Sequence, residues 1–208
     1  MGELPILPRW AYALGMTAII EADAIYDIKR PFFSFFDRTF RVYDASGAMV
    51  LFVRHPVMRL RAEFQMFADE AMQNPVAVIR AREMVAINFT YDVTDPTTGQ
   101  WLGTLQTRGF RSIVRDTWDL LGESEQPIGL MVEDGWSLLR HLVPLLTGRW
   151  HMEIGGQTVA RLHQLFRFFT KEYVLTIHAA RSGADPRFIM ACALLALMRE
   201  NRREERSR

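Results

Sequence analysis

Asp185-Pro186-Arg187-Phe188-Ile189-Met190-Ala191-Cys192-Ala193-Leu194-Leu195-Ala196-Leu197-Met198 decides the fold. Asp185 is a good N-cap, because its carboxylate accepts the orphan amides of a first helical turn. Pro186 suits the first helical position, where its fixed φ is already helical. From Phe188 to Met198 the segment carries no charge, and only then do Arg199 and Glu200 begin a polar tail. A helix apolar on every side has to be buried. The run rises only ~16 Å, well short of the about 20 apolar residues needed to span a bilayer. The shell that covers this helix must come from the chain before it.

That chain reads as β structure. From Ile25 onward, short apolar and aromatic runs at period two are separated by Gly, Pro, Asp and Asn. A strand-turn-strand unit recurs at roughly fifty to sixty residues, with turns at Asp44-Ala45-Ser46-Gly47, Asp95-Pro96-Thr97-Thr98-Gly99 and Gly155-Gly156. A basic-acidic-aromatic cluster follows each: Arg61-Ala62-Glu63-Phe64, Arg115-Asp116-Thr117-Trp118 and Lys171-Glu172-Tyr173. Alternation is cleanest at Met58 to Met66, with even positions inward, and at Val85 to Val93, with odd positions inward. Further strands are predicted at Trp101–Thr107, Ile113–Leu121, Ile128–Glu133, Trp136–Arg140, Trp150–Ile154, Thr158–Phe166 and Tyr173–Ala179, with Asp134-Gly135 as a hairpin turn. A sheet this large closes or curls. The expectation is a mainly β protein: a closed barrel of about a dozen strands around the apolar C-terminal helix. Residues 1–24 form a partly helical lead-in, 25–200 the barrel with its core helix at 185–199, and 200–208 a polar tail.

Composition suits one soluble domain: 208 residues, 49% hydrophobic and 24% charged, with formal net charge +1. So small a charge gives no long-range pull on nucleic acid or acidic membranes, and any such binding must come from a local patch. No basic groove-reading helix suggests nucleic acid. Cys192 is the single cysteine, which excludes an internal disulfide and a cysteine-based zinc site and makes a cytoplasmic setting the default. The uncharged run Trp10 to Ile20 follows Glu3 and Arg9, too short for a bilayer span and a poor signal peptide.

Phe40-Arg-Val-Tyr-Asp-Ala-Ser-Gly47, Tyr91-Asp-Val-Thr-Asp95 through Gly99 to Leu102-Gly103, Arg115-Asp-Thr-Trp118 with Ile128-Gly129 and Glu133-Asp134, and the closing Asp185-Pro186 helix occur in a telling order. In that order the chain resembles the tubby C-terminal-like superfamily, particularly its phospholipid scramblase and LURP-one-related branch, over roughly residues 25 to 200. The resemblance implies a closed barrel around a central hydrophobic helix. It also implies membrane-lipid association, since tubby proteins bind phosphoinositides through basic residues on the barrel surface. The acidic calcium segment and the Pro-rich or palmitoylated N-terminal region of animal scramblases are missing, so it implies binding rather than active scrambling.

The residues themselves offer no familiar enzyme arrangement: no GxSxG elbow, Walker A loop, HExxH or GxGxxG after a strand. His55, His141, His151, His163 and His178 lack shared-metal spacing and read as strand-surface or loop histidines. Asp92, Asp95 and the following Thr-Thr-Gly put several oxygens in one turn, which is ordinary turn chemistry before it is a calcium loop. No cofactor or metal is expected. The lipid-binding candidates are Arg59, Arg61, Arg80, Arg82, Arg108, Arg111 and Arg115, because guanidinium forks match phosphate oxygens. The competing reading is a solvated face neutralised by Glu63, Glu83 and Asp116. Phe32, Phe33, Phe35 and Phe36, flanked by Lys29, Arg30 and Arg38, are candidates for membrane or partner contact, against an edge strand packed under the lead-in. The leading expectation is a non-enzymatic, cytoplasmic barrel, peripheral at the inner membrane face, that associates with anionic, phosphoinositide-like headgroups. The alternatives are a protein-interaction scaffold using Phe32–Phe36, and a hydrolase of unrecognised type.

Overall fold

A computed structural model describes residues 20–31, 37–56, 63–82, 89–107, 117–134, 149–165 and 170–206. Among them twelve strands precede one helix. They are β1 (Asp23–Pro31), β2 (Asp37–Tyr43), β3 (Met49–Pro56), β4 (Phe64–Phe67), β5 (Pro75–Ala81), β6 (Thr90–Thr94), β7 (Trp101–Thr107), β8 (Thr117–Leu121), β9 (Pro127–Glu133), β10 (Arg149–Ile154), β11 (Gln157–Leu165) and β12 (Thr170–His178), followed by α1 (Pro186–Arg206). Each strand pairs antiparallel with its sequence neighbours, and β1 pairs with β12 from Asp23↔His178 to Pro31↔Thr170, which closes the barrel. Closure removes the open edges on which a sheet of this size would otherwise aggregate.

Period-two patterning decides which side chains face in. On β1 Tyr26, Ile28 and Arg30 are buried while Ile25, Asp27 and Lys29 are exposed; on β12 Lys171, Tyr173, Leu175 and Ile177 are buried. Phe64 and Met66 face in on β4, as do Tyr91 and Val93 on β6, in the predicted parity. These inward residues enclose α1, on which every residue from Phe188 to Met198 is buried. Each fully buried Leu, Ile, Met or Phe there contributes roughly 1.5–3 kcal/mol. Gly103 of β7 makes room for the start of this helix: a Cβ there would lie 2.5 Å from the Phe188 ring.

Strand direction gives the barrel two unlike ends. At the end where α1 enters, β2–β3, β4–β5, β6–β7, β8–β9 and β10–β11 are joined by short turns. Asp44 Oδ1 accepts the Ser46 and Ala48 amides in the first. Asp95 Oδ1 accepts those of Thr97 and Thr98 in the third. Asp185 N-caps the helix by accepting the Arg187 amide at 2.8 Å. At the opposite end α1 leaves the barrel, and the Arg199 guanidinium lies 5.1 Å from the Trp118 ring centre.

Three expectations need adjustment. β9 is paired with β8 on one edge and β10 on the other, so it has no edge left for an Asp134-Gly135 hairpin to a strand at 136–140. Asp134 instead continues the ladder, its amide donating to Arg149 O at 2.8 Å. The helix does not stop at Arg199 but runs to Arg206, since Arg and Glu are good helix formers even where no core holds them. The lead-in, expected from its Pro-broken sequence to pack on the outside of the barrel, contributes Ile20 to the buried core cluster; residues 1–19 and 135–148 lie outside the described residues, as do parts of the strands expected at 58–66, 85–93 and 113–121.

Candidate functional site

Arg149-Trp150-His151-Met152-Glu153 alternates strictly. Trp150 and Met152 are buried in the core, which turns Arg149, His151 and Glu153 to the outer wall. On β11, Ala160 and Leu162 are buried, which turns Arg161 and His163 outward. The register sets Arg149 opposite His163 and His151 opposite Arg161, so four nitrogen-bearing side chains tile one patch of wall, each within the cross-strand neighbour distance of about 5 Å between Cβ atoms. A bulge between Met152 and Glu153 shifts the register so that Glu153 faces Thr158. Gly129 of β9 permits it, because a Cβ there would meet the Glu153 carbonyl oxygen at 2.0 Å.

Together these residues, with Asp134, line a cleft of about 600 Å³. His151 is held on both sides. Its Nδ1–H donates to Asp134 Oδ1 at 2.5 Å, and Nε2 lies 3.7 Å from Glu153 Oε1. Arg149 and Arg161 are exposed, and neither has an ion-pair partner among the described residues. Two forks without carboxylates in a shared cleft can clamp a phosphate or another oxyanion by paired N–H donors. One further residue continues the same transverse row: Arg161 is opposite Thr176 on β12, and Thr176 is opposite Ile25 on β1. Ile25 is 53% exposed, about 10 Å from Arg161 at the usual strand spacing.

Of the arginines chosen from sequence, the two described ones lie elsewhere. Arg80 and Arg82 belong to β5 and its end, across the barrel from β10 and β11. Arg80 donates to Glu63 Oε2 at 2.6 Å, the neutralised arrangement weighed against the phosphate reading. Arg82 is gripped more firmly: Nε and Nη2 donate to Asp92 at 2.5 and 2.8 Å, and Nη1 to Glu125. These bonds, Asp92 foremost, raise its pKa further. Asp92 also accepts from Thr104 Oγ1, which in turn accepts from Trp101 Nε1 at 3.0 Å. Arg59, Arg61, Arg108, Arg111, Arg115, Phe32, Phe33, Phe35 and Phe36 lie outside the described residues.

The turn that raised calcium is used structurally. Asp95 spends one oxygen on its own turn and the other on Arg187, while Asp92 serves Arg82 and Thr104. Among the described residues no group of three or more His, Cys, Asp or Glu side chains is placed to hold a metal ion. Cys192 is wholly buried, and burial pushes its thiol pKa up, away from the reactive thiolate.

Sequence reasoning passed over Arg149, His151, Arg161 and His163. The signal was present as two Arg/His pairs at i,i+2 in strands predicted nearly where they are found. What one strand cannot reveal is that its polar face is laid against that of the next.

A family model described as LURP-one-related matches residues 24–196 of the chain. No curated protein and no solved structure matches it. Among the described residues no helix is long and apolar enough to cross a membrane.

Proposed function

Because the chain belongs to the LURP-one-related family, within the tubby-like and scramblase superfamily, we propose that it associates with the phosphate of anionic phospholipid headgroups through the β10–β11 cleft, as a binding module and not an enzyme. The observation that carries this reading is the pair Arg149 and Arg161, exposed in one cleft with no carboxylate partner among the described residues. Ile25, exposed on the same transverse row, supplies apolar surface beside the cationic one. That combination suits the boundary between headgroups and acyl chains. Arg80 and Arg82 rank behind Arg149 and Arg161, because a phosphate there must displace Glu63, Asp92 or Glu125.

The test is vesicle flotation with neutral phosphatidylcholine, phosphatidylglycerol and a phosphoinositide, with a soluble inositol phosphate as competitor. Wild-type protein is expected to float with the acidic vesicles alone, and less so at high salt, since a single screened patch carries the attraction. Arg149→Glu and Arg161→Glu are expected to abolish flotation while Arg80→Glu leaves it in place. Competition by the soluble headgroup would identify recognition of the headgroup itself; failure to compete would assign the binding to the charged surface. Flotation unaffected by either reversal in the cleft would remove it as the site.

A further inference from the structure

Resting on that reading, we infer that the β10–β11 cleft selects phospholipids whose phosphate is followed by a primary ammonium, as in the ethanolamine headgroup, with Glu153 as the acceptor of that ammonium. Placement is what points there. Arg149 stands opposite His163 and Arg161 opposite His151, which makes the two arginines diagonal neighbours. Past the Met152/Glu153 bulge, Glu153 is opposite Thr158 and diagonal to Arg161 on its other side. Such diagonals span about 7–8 Å, within reach of long side chains. Elsewhere on the wall arginines close onto neighbouring carboxylates: Arg41 onto Glu70 and Arg80 onto Glu63, each at 2.6 Å, and Arg82 onto Asp92 at 2.5 Å. In the cleft they stay apart. Among the described residues neither Arg149 nor Arg161 has an ion-pair partner, and Glu153 accepts no hydrogen bond. The Glu153 side chain is 38% exposed, with His151 Nε2 3.7 Å away. His151, held at its other nitrogen by Asp134, stands on β10 between Arg149 and Glu153 and spaces the cationic end of the cleft from the anionic one.

Free donors at one end and a free acceptor at the other complement a ligand of the opposite polarity. Phosphate oxygens accept from the Arg149 and Arg161 forks, and an ammonium donates to Glu153. Both contacts are charge-assisted and stronger than those a neutral hydroxyl would make, so a glycerol headgroup gains less at Glu153. Ethanolamine and serine headgroups carry a primary ammonium a short carbon link from the phosphate. The quaternary nitrogen of choline has no N–H to donate. Its usual recognition element is an open aromatic face, and the aromatic residue of the cleft, Trp150, is buried in the core.

Flotation tests this on vesicles with a constant fraction of phosphatidylglycerol, the remainder being either phosphatidylcholine or phosphatidylethanolamine. The exchange leaves the net charge of the vesicle unchanged and adds N–H donors. Soluble glycerophosphoethanolamine and glycerophosphocholine, used as competitors, take bilayer packing out of the comparison. Wild-type protein is expected to bind the ethanolamine vesicles about two- to fivefold more tightly, the worth of one exposed ion pair, and to be displaced at lower concentration by the ethanolamine competitor. Glu153→Gln, its folding confirmed by circular dichroism, is expected to lose both preferences. Equal affinity for the two vesicles and the two competitors, or a preference that survives in Glu153→Gln, would overturn the ammonium site and leave the phosphate reading standing. So would a vesicle preference with no competitor preference, which assigns the effect to packing. In a further arm phosphatidylserine replaces phosphatidylglycerol at equal charge; a gain there with none for ethanolamine would assign selection to the serine carboxylate and likewise overturn the ammonium site. Wild-type protein that floats with none of these vesicles would overturn both.

Discussion

Arg187, the second residue of the core helix, donates from Nη1 to Asp95 Oδ2 at 2.6 Å and so ties α1 to the β6–β7 turn across 92 positions of sequence. Both side chains are largely buried, at 12% and 14% exposure, and Arg187 also meets Asp185 through Nε and Nη2. Removing one member of such a pair strands the other charge. Arg187→Met is therefore expected to cost about 3 kcal/mol, read as a lower urea midpoint. Asp95→Asn in the Arg187→Met background is expected to cost less than in wild type, and strictly additive losses would show that the pair is not coupled.

The same carboxylate makes an acid-dependent contribution. Burial alone would raise the Asp95 pKa, but the Arg187 bond and the Thr97 and Thr98 amides outweigh it and hold the group below its ordinary value. A folded pKa below the unfolded one means stabilisation that is complete above the unfolded value, near 4, and is lost as pH falls through the folded one. The difference in stability between wild type and Asp95→Asn is expected to be constant from pH 7 to 5 and to shrink below about pH 4. Urea titrations at each pH measure it, and a gap that widens in acid would reverse the assignment.

The barrel was legible because its rules are local. The alternation of Tyr173–Ala179 and the charge-free run Phe188–Met198 each dictate an element from a few residues, and closure follows from needing to enclose the last. The cleft was not legible because it is a property of register. His151 and His163 become diagonal neighbours only after the chain reverses at Gly155-Gly156 and a bulge at Met152/Glu153 shifts the pairing. Arg82 illustrates the converse: a plausible phosphate ligand on its own strand, it is bound by Glu125, 43 positions away, a partner that no pattern within the strand points to.

Gly103 is a packing residue of the barrel wall. A Cβ at this position would stand 2.5 Å from Cδ2 and Cε2 of Phe188, whose ring is buried and cannot swing into solvent. Gly103→Ala is expected to lower stability by about 1–3 kcal/mol, the usual cost of overpacking. Phe188→Leu, itself destabilising through lost volume, is expected to relieve that clash, so the double variant should be more stable than the sum of its parts. Thermal melts of the four proteins give the comparison, and simple additivity would mean that the strain is absorbed elsewhere.

Leu194 is fully buried two residues beyond Cys192, midway along the charge-free part of α1. A carboxylate here has no partner to meet and no route to water, at a cost of several kcal/mol, set against a total stability of about 5–15 kcal/mol for a typical domain. Leu194→Asp is expected to abolish the cooperative transition, whereas Leu194→Met, which conserves volume, should cost less than about 1.5 kcal/mol. Cys192 supplies the readout from inside the barrel. Its thiol is buried and its pKa raised, so a thiol-reactive disulfide reagent should label native protein and Leu194→Met only as fast as the barrel opens, and Leu194→Asp at once. A soluble, cooperatively folding Leu194→Asp with a protected thiol would place the charge outside the core and remove the helix from the barrel interior.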